Sequence, residues 1–430
     1  MLNKKAGLRR PAFFMRFSII PIKLFNYQIS IFKEFRVMKE VVVVSAYRTA
    51  VGSFGKSLKE FSPCKLAEIV VAGMLDKSPV SPKQIGHVVF GNVVSTEPSD
   101  MYLSRVAALN AGIPHTTPAF NVNRLCGSGL QAIVSAAQAI QLGDCDIAVA
   151  GGAESMSRAP YLASGQRWGS RMGDSVLVDM MTGALSDPFN KVHMGVTAEN
   201  VAKRYNITRT QQDNLAFESH KRAQHAIEQG YFTEQIIPVV YKSRRGEVVF
   251  DTDEHVRIDA TKEDFTCLRP VFQKEDGTVT AGNASGLNDG AGAVLLMDLD
   301  TATRSNIKPM ARLVAYAHSG VEPLYMGIGP VPATKKVLEK AGLKIQDIDV
   351  VEANEAFAAQ ACAVTNELGL DPSIVNPNGS GISLGHPIGA TGAIITVKAL
   401  HELSRINGRY ALVTMCIGGG QGIAAIFERA

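Results

Sequence analysis

Two stretches of the chain repeat the same alternation of strands and helices, and this repeat constrains the fold more than any other feature. The first series begins with the valine run at 41–44, and the second begins after Pro309. The segment 83–92 resembles the segment 344–354, which suggests an ancient duplication. The hydrophobic patterns predict helices at 63–75, 103–111 and 332–341, and strands at 87–91, 119–122 and 348–351. The sequence therefore predicts an α/β protein in which the alternation of strands and helices occurs twice.

Cys126 lies in a glycine-rich segment, Asn-Arg-Leu-Cys-Gly-Ser-Gly, directly before an apolar stretch without charged residues at 127–141. Such a stretch predicts a buried helix, with Cys126 at or just before its first turn. A helix N-terminus stabilises a thiolate, and small residues leave backbone N–H groups open to an oxyanion. On its own, this cysteine would fit a buried structural position equally well.

Two residues in the C-terminal third extend the reactive set. His386 lies at the tip of a glycine-dense loop within 376–393, where few side chains would shield it from a substrate. Cys416 follows the β-rich run 410–415 and precedes a glycine-rich loop, so it is predicted to end a buried strand. A nucleophile, a base and a second thiol, with backbone N–H groups nearby, suit carbon–carbon bond chemistry on thioesters.

From about Lys39 to the C-terminus, the chain resembles the thiolase family, specifically its acetyl-CoA acetyltransferase branch. The resemblance rests on motifs in a fixed order: Cys-Gly-Ser-Gly at 126–129, Gly-Gly-Ala-Glu-Ser-Met-Ser at 151–157, Gly-Asn-Ala-Ser-Gly-Leu-Asn-Asp-Gly-Ala at 282–291, Asn-Glu-Ala-Phe at 354–357, Gly-His-Pro at 385–387 and Cys-Ile-Gly-Gly-Gly at 416–420. It implies a thiolase-like α/β fold, duplicated and layered α/β/α/β/α. The expected domains are 38–300, with an inserted loop domain at about 157–283, and 308–430.

The resemblance also implies a role for each reactive residue. Cys126 would attack the thioester carbonyl and hold the acyl group, while His386 takes the thiol proton. Cys416 would remove an α-proton from a second acetyl-CoA, whose enolate oxygen is held by His386 and by a water on Asn354. The backbone N–H groups of Cys126 and Gly418 would hold the acyl-enzyme oxyanion. From the residues alone, Asn354 fits a helix N-cap equally well.

Coenzyme A contacts are implied less specifically, because many scattered groups can hold a long pantetheine arm. The resemblance nominates six residues, for each of which packing or surface exposure is the alternative: His193, Met194, Arg257, Ser285, Met326 and Phe357. Arginine suits the nucleotide end, whereas methionine and phenylalanine suit a narrow tunnel. Asp264 departs from the family pattern of a small polar residue near the nucleotide. Glu355 is assigned only a supporting role behind the reacting groups.

Three other functions are alternatives to this one. A ketosynthase-like condensing enzyme would carry histidine or asparagine in place of Cys416. A degradative 3-ketoacyl-CoA thiolase shares the reactive residues, so these cannot exclude it, although His193 with Met194 and the Tyr-Met-Gly at 325–327 favour the short-chain branch. A catalytically silent scaffold or lipid-binding homologue should lack a reactive residue, and none is missing.

The resemblance therefore implies an acetyl-CoA C-acetyltransferase that reversibly condenses two acetyl-CoA to acetoacetyl-CoA and CoA through a cysteine acyl-enzyme. Coenzyme A thioesters would be substrates, with no separate cofactor and no metal. The expected assembly is a homotetramer or homodimer. Chain-length preference and physiological direction are not encoded in these motifs.

Charge and composition limit the possible partners and cellular locations. Residues 1–37 contain eight Lys or Arg and one acidic residue, a net +7, so the overall charge of +4 leaves about −3 for the rest and no electrostatic case for nucleic acid binding. The extension is interpreted as upstream sequence before a start at Met38, or as a targeting segment. No stretch reaches the roughly 20 apolar residues of a membrane span. Six cysteines without metal-site spacing favour a reducing compartment, so the cytoplasm is expected, or the mitochondrion if 1–37 is a transit peptide.

Overall fold

A mixed ten-stranded sheet forms the centre of residues 38–244 and 246–430, which a computed structural model describes. The strands of these residues are β1 Val41–Arg48, β2 Gly52–Ser53, β3 His87–Gly91, β4 Ala119–Val122, β5 Ile147–Ser155, β6 Tyr161–Leu162, β7 Val178–Asp179, β8 Val239–Ser243, β9 Gly246–Phe250, β10 Asn288–Asp298, β11 Ala311–Gly320, β12 Val350–Ala353, β13 Tyr410–Ile417 and β14 Gln421–Arg429. The central sheet has the order β12-β13-β14-β11-β1-β10-β5-β3-β4, and β2 pairs with β10. The predictions for the N-terminal extension lie outside the described residues.

The sheet repeats one strand arrangement on either side of the contact between β1 and β11. In the first half, β1, β10 and β5 are antiparallel neighbours and β5 pairs in parallel with β3. In the second half, β11, β14 and β13 are antiparallel neighbours and β13 pairs in parallel with β12. The predicted duplication is therefore visible in strand direction as well as in sequence.

Element bounds agree closely with the sequence patterns, with one informative shift. Strands β3 and β4 have the predicted bounds, whereas β12 begins at Val350, two residues later than predicted. A short 3₁₀ turn occupies Ile345–Asp347, and the N–H of Ile348 donates to the carbonyl of Ile345 to close it. A residue engaged in that turn cannot join the sheet ladder at the same time.

Two buried helices begin directly after the loops that contain Cys126 and His386. The helices of the described residues are α1 Pro63–Asp76, α2 Leu103–Asn110, α3 Ser128–Leu142, α4 Met180–Ala184, α5 Met194–Arg204, α6 Arg209–Glu228, α7 Glu263–Thr266, α8 Leu299–Arg304, α9 Pro330–Ala341, α10 Ala358–Leu368 and α11 Thr391–Arg405. Helices α3 and α11 pack against each other and against the sheet. A Cβ on Gly129 would lie 2.6 Å from the backbone nitrogen of Ala393, and one on Gly392 would lie 2.3 Å from that of Leu130. Glycine at both positions lets the N-terminal ends of the two helices approach closely.

The segment between β5 and β10, which the resemblance describes as an insertion, contains α4 to α7 and two small two-stranded sheets. A fully buried ion pair ties it to the sheet: Arg48 binds Asp253 through two hydrogen bonds of 2.7 and 2.9 Å. Removing one partner of such a pair typically costs about 3–5 kcal/mol, because a buried charge is left alone. The insertion is therefore held firmly at this point.

Within the described residues, no helix combines the length and apolar character needed to cross a bilayer.

Candidate active site

A cavity of about 320 Å³ gathers most of the predicted site residues from both halves of the fold. Four of the five predicted catalytic positions line it: Cys126, His386, Cys416 and Gly418. Five of the six predicted coenzyme A contacts line it as well: His193, Met194, Ser285, Met326 and Phe357. Asn354 and Arg257 are not among the lining residues. The duplication explains the meeting of distant segments, because each half contributes one loop that precedes a central helix.

Cys126 lies in a tight turn just before α3, as the sequence predicts. The helix begins at Ser128 after the N-cap Gly127. The Ser128 hydroxyl accepts from the N–H of Arg124 at 2.9 Å and donates to the carbonyl of Leu125 at 2.6 Å. Leu125 has a φ of 45°, a left-handed conformation that costs about 1–3 kcal/mol for a residue with a side chain. The surrounding hydrogen bonds hold this strained turn and fix the direction of the neighbouring thiol.

Both thiols are protonated at neutral pH. Burial raises the pKa of the Cys126 thiol to about 11, although the N–H groups of Gly418 and Cys126 face the sulfur and oppose this rise. Burial raises the pKa of the Cys416 thiol further still, and the neighbouring Cys126 contributes. A thiolate at either position therefore needs a base beside it. The same two N–H groups at Cys126 are those expected to hold an acyl-enzyme oxyanion.

His386 is buried and neutral in this cavity. Burial lowers the pKa of its imidazole to about 4, so one ring nitrogen keeps a free lone pair at neutral pH. Its backbone N–H donates to Asn288 Oδ1 at 2.9 Å, and its Nδ1 lies 2.6 Å from Thr391 Oγ1. A neutral, firmly held imidazole can accept a thiol proton.

Asn354 contacts the imidazole rather than capping a helix. Its Nδ2 lies 3.5 Å from Nδ1 and 3.4 Å from Nε2 of His386. Its Oδ1 is buried and has no partner among the described residues. The N-cap alternative is wrong, because α10 begins at Ala358 after Phe357, and the N–H of Asn354 donates to the carbonyl of Thr414. A free amide oxygen beside the base suits the predicted role of holding a water.

Comparison with known proteins settles the family. Models of the thiolase N-terminal domain and the thiolase C-terminal domain match residues 41–300 and 307–429. The chain belongs to the thiolase family. Over 91% of its length and 99% of the relative's, this thiolase is 70% identical to beta-ketothiolase BktB of Cupriavidus necator. The result agrees with the expected family and leaves no place for the ketosynthase-like alternative.

Solved structures agree with the fold of this thiolase. Acetyl-CoA acetyltransferase of Bacillus anthracis is 46% identical, with a TM-score of 0.89 over 92% of this chain and 100% of that one. Human mitochondrial 3-ketoacyl-CoA thiolase is 44% identical, with a TM-score of 0.90 over 92% of this chain and 100% of that one. The predicted α/β thiolase fold is confirmed.

One wall of the cavity of this thiolase is built from the insertion. His193 caps α5 by accepting the N–H of Gly195 at its Nδ1, 3.1 Å away. Its ring stacks on Phe272 at 4.7 Å between centroids, and Phe272 meets Phe357 edge-on at 6.4 Å. A Cβ on Gly418 would lie 3.1 Å from Met194 Cε, so the side chain of Met194 lies close to the loop that contains Gly418. These apolar groups form a wall suited to an acyl or pantetheine chain.

Arg257 and Asp264 lie apart from the cavity lining. The guanidinium of Arg257 lies 5.5 Å from the ring centre of Phe265, and its backbone N–H donates to His220. Asp264 accepts from the N–H and the hydroxyl of Thr261 at 2.8 and 2.9 Å, which holds the pKa of its carboxyl below the usual range. The departure at Asp264 is therefore explained as a local cap of this turn.

Several residues that shape the site escaped sequence reasoning. Phe272 lines the cavity but stands in a segment with no distinctive pattern, whereas Ile388 lines it from the glycine-dense loop of His386. Asn288, Glu154 and Thr391 lie inside quoted motifs or loops, and each hydrogen-bonds the His386 loop. These three residues belong to glycine-rich motifs, which was the only sequence signal for them. Their hydrogen-bond partners lie in other segments or in a tight turn, and residue spacing does not predict either contact.

Proposed function

We propose that this thiolase is an acetyl-CoA C-acetyltransferase, which reversibly condenses two acetyl-CoA to acetoacetyl-CoA and CoA. The observation that carries the proposal is the meeting of Cys126, His386 and Cys416 in one cavity, with both thiols and the imidazole neutral at rest. Neutral groups in a buried site can pass protons among themselves without leaving an uncompensated charge.

The proton balance of the first half-reaction follows from these groups. Cys126 Sγ gives its proton to His386 and forms a bond to the acetyl carbonyl carbon, while the bond from that carbon to the sulfur of CoA breaks. The departing CoA thiolate takes a proton from Cys416. CoA leaves as the thiol, and a Cys416 thiolate remains beside a His386 imidazolium. The N–H groups of Cys126 and Gly418 face the developing oxyanion, and losing one such donor typically costs about 10²–10³ in rate.

The second half-reaction returns each proton. The Cys416 thiolate removes an α-proton from the incoming acetyl-CoA, and the resulting carbanion attacks the acetyl group on Cys126. The enolate oxygen is held by His386 and by a water on the free Oδ1 of Asn354. Cys126 leaves as a thiolate and recovers its proton from His386. No metal or organic cofactor is needed for this cycle.

A degradative 3-ketoacyl-CoA thiolase of broader chain length is the second candidate. The apolar side chains of Met156, Met181, Leu185 and Ile388 line the cavity together with Cys126. An apolar lining of this kind suits an acyl chain longer than acetyl. The reactive groups and proton steps would be the same.

A chain-length series separates the two candidates. CoA-dependent cleavage is measured from acetoacetyl-CoA to a long-chain 3-ketoacyl-CoA, with Cys126→Ala as the blank. Activity confined to the shortest substrates supports the acetyltransferase, and a rise with length supports the degradative enzyme. Cys145→Ala is the matched control, because it removes another half-buried thiol outside the cavity. Inactivity with every substrate would contradict both proposals.

We propose a homotetramer, with a homodimer as the smaller alternative. Strand β4 ends the central sheet, and Phe120 on it is 44% exposed. The insertion exposes Trp168 and Met172 at 90% and 94%, which is unusual for large apolar side chains. A second copy would cover both surfaces. Sedimentation equilibrium checks the assembly, and a monomer at micromolar concentration would contradict it.

We propose that the enzyme acts in the cytoplasm. All cysteines of the described residues are free thiols, and two of them are reactive-site residues that oxidation would block. Cell fractionation followed by activity measurement tests the location. Activity in an organelle fraction would favour the alternative that residues 1–37 are a transit peptide.

A further inference from the structure

The hydroxyl of Thr391 lies between two groups of the His386 loop. Its Oγ1 is 2.6 Å from Nδ1 of His386 and 2.9 Å from the carbonyl oxygen of Pro387. Both side chains are buried, with 1% of Thr391 and 4% of His386 exposed. Thr391 is also the first residue of α11, so a central helix fixes its position. No bulk water is available to rearrange these contacts.

Counting protons allows only one arrangement in which both contacts are hydrogen bonds. A hydroxyl has one proton to donate and lone pairs to accept with. If Thr391 donates to the Pro387 carbonyl, its oxygen accepts an N–H from Nδ1 of His386. If Thr391 instead donated to Nδ1, two oxygen atoms would face each other at 2.9 Å with no proton between them. The proton of the neutral imidazole therefore belongs on Nδ1.

With its proton on Nδ1, the imidazole carries its lone pair on Nε2. The Asn354 amide does not distinguish the two ring nitrogens, because its Nδ2 lies 3.5 Å from Nδ1 and 3.4 Å from Nε2. His386 and Cys126 both line the cavity, so the bare nitrogen is the one available to the reacting groups. We propose that Thr391 is a positioning residue, which fixes the Nδ1–H tautomer of His386 so that Nε2 can take the thiol proton of Cys126. The inference deepens the proposed function and rests on its assignment of His386 as the base.

The proton moves in a closed sequence. The S–H bond of Cys126 breaks and an N–H bond forms at Nε2, while Nδ1 keeps its proton and its bond to Thr391. The Thr391 oxygen then faces a full imidazolium and stabilises the charge through a charge-assisted hydrogen bond. The reverse transfer from Nε2 restores the thiol when the acyl group leaves. The Thr391 hydroxyl keeps its own proton throughout.

Thr391→Val tests the proposal because it removes the hydroxyl and keeps the shape. We expect kcat for acetoacetyl-CoA cleavage to fall by about 10–100-fold, the loss that is typical when the partner that orients a metal-binding histidine is removed, with KM changed by less than about threefold. Thr391→Ser should restore kcat to within about threefold of the wild type, because it keeps the donor and the acceptor.

The same helix supplies a matched control. Thr396 is fully buried and donates from Oγ1 to the carbonyl of Gly392 at 2.7 Å, the same local bond without a histidine. Thr396→Val should leave kcat within about twofold, because it touches no group of the cavity. Equal losses in the two valine variants would show that helix packing accounts for the effect, and would overturn the proposal. Thr391→Ala makes the same removal with a smaller side chain should the valine variant not fold.

A second measurement does not depend on the acyl substrate. The rate at which iodoacetamide alkylates Cys126 in the free enzyme, followed by peptide mass spectrometry at neutral pH, should fall in Thr391→Val by a factor similar to that of kcat. An unchanged alkylation rate would overturn the tautomer assignment. If no acyl-CoA is cleaved by the wild type but alkylation still falls, the proposed function fails while the role of Thr391 stands.

Discussion

Two buried carboxylates, one from each half of the fold, hold opposite ends of the loop that carries His386, and they do so in different ways. Glu154 near the end of β5 accepts the N–H of Gly389, three residues after the histidine. Glu355 after β12 accepts the N–H of Ile382, four residues before it. The duplication thus places comparable anions on both sides of the loop.

Glu154 faces donors only. It accepts from Asn92 Nδ2 at 3.0 Å and from the backbone N–H groups of Val93, Val94 and Gly389 at 2.8 to 3.1 Å. Burial raises the pKa of its carboxyl to about 8, and the three backbone donors oppose that rise. A protonated carboxyl would need an acceptor, and every partner in contact with it is an N–H, so we expect the ionised form to prevail.

Glu355 faces a partner that can turn. It accepts from the Ser219 hydroxyl at 2.6 Å, from Asn376 Nδ2 at 3.0 Å and from the N–H of Ile382 at 3.3 Å. The Ser219 hydroxyl also lies 2.8 Å from Ser383 Oγ and can donate to it instead. The first half therefore supplies an anion that cannot be replaced by a neutral group, whereas the second supplies one that can.

Glu154→Gln should give the largest effect. The new amide N–H₂ would face N–H donors in either orientation, and two of these would lose their acceptor at about 1–3 kcal/mol each. We expect the free energy of unfolding to fall by about 2–6 kcal/mol and kcat to fall with it, because the His386 loop shifts. Urea unfolding and acetoacetyl-CoA cleavage measure the two changes. Wild-type stability in this variant would contradict the fixed-anion assignment.

Substitutions where α3 crosses α11 should lower stability by similar amounts in the two halves, in contrast to substitutions of the two carboxylates. Gly129→Ala and Gly392→Ala each place a Cβ within 2.6 Å of a backbone atom of the other helix. Overpacking of this kind typically costs about 1–3 kcal/mol, and the two variants should lose similar amounts. Gly183→Ala is the control, since no atom lies within 4 Å of its added Cβ. Thermal unfolding of all three checks the symmetry, which a large loss in only one crossing variant would break.

Glu355→Gln should cost only about 0.5–1.5 kcal/mol, the net value of one ordinary hydrogen bond. Its amide oxygen can keep the bond from Asn376 at the Oε1 position, and its N–H₂ at the Oε2 position can donate to Ser219 once that hydroxyl turns toward Ser383. Only the N–H of Ile382 then loses its acceptor. We expect kcat within about tenfold of the wild type. The measurement is the same urea series used for Glu154→Gln, and equal losses in the two variants would remove the difference between the halves.

The comparison also marks what the sequence could predict. Hydrophobic periodicity placed β3 and β4 correctly, and glycine-rich motifs indicated Cys126, His386 and Cys416, which line one cavity. These features are local, so neighbouring residues encode them. The role of Glu154 depends on N–H donors from two loops that are distant in sequence, and no local sequence pattern predicts those contacts. Arg257 was nominated for coenzyme A but does not line the cavity, because its segment is held by His220 and Phe265.

The smallest expected difference between the two carboxylates is in how their contributions to stability depend on pH. Burial raises the pKa of Glu355 above its usual value, so between about 4.3, the unfolded value, and its folded pKa the folded state binds more protons than the unfolded state. The contribution of Glu355 to stability is therefore present at the acid end and declines as pH rises, by at most about 1.4 kcal/mol per unit. Glutamine does not titrate, so the stability difference between wild type and Glu355→Gln should shift in this direction from pH 4.5 upward. The corresponding difference for Glu154→Gln should stay constant from pH 5 to 8 if Glu154 is always ionised. A decline up to pH 8 in that difference would show that burial outweighs the four N–H donors, and both halves would then hold the histidine loop with a carboxyl that takes up a proton.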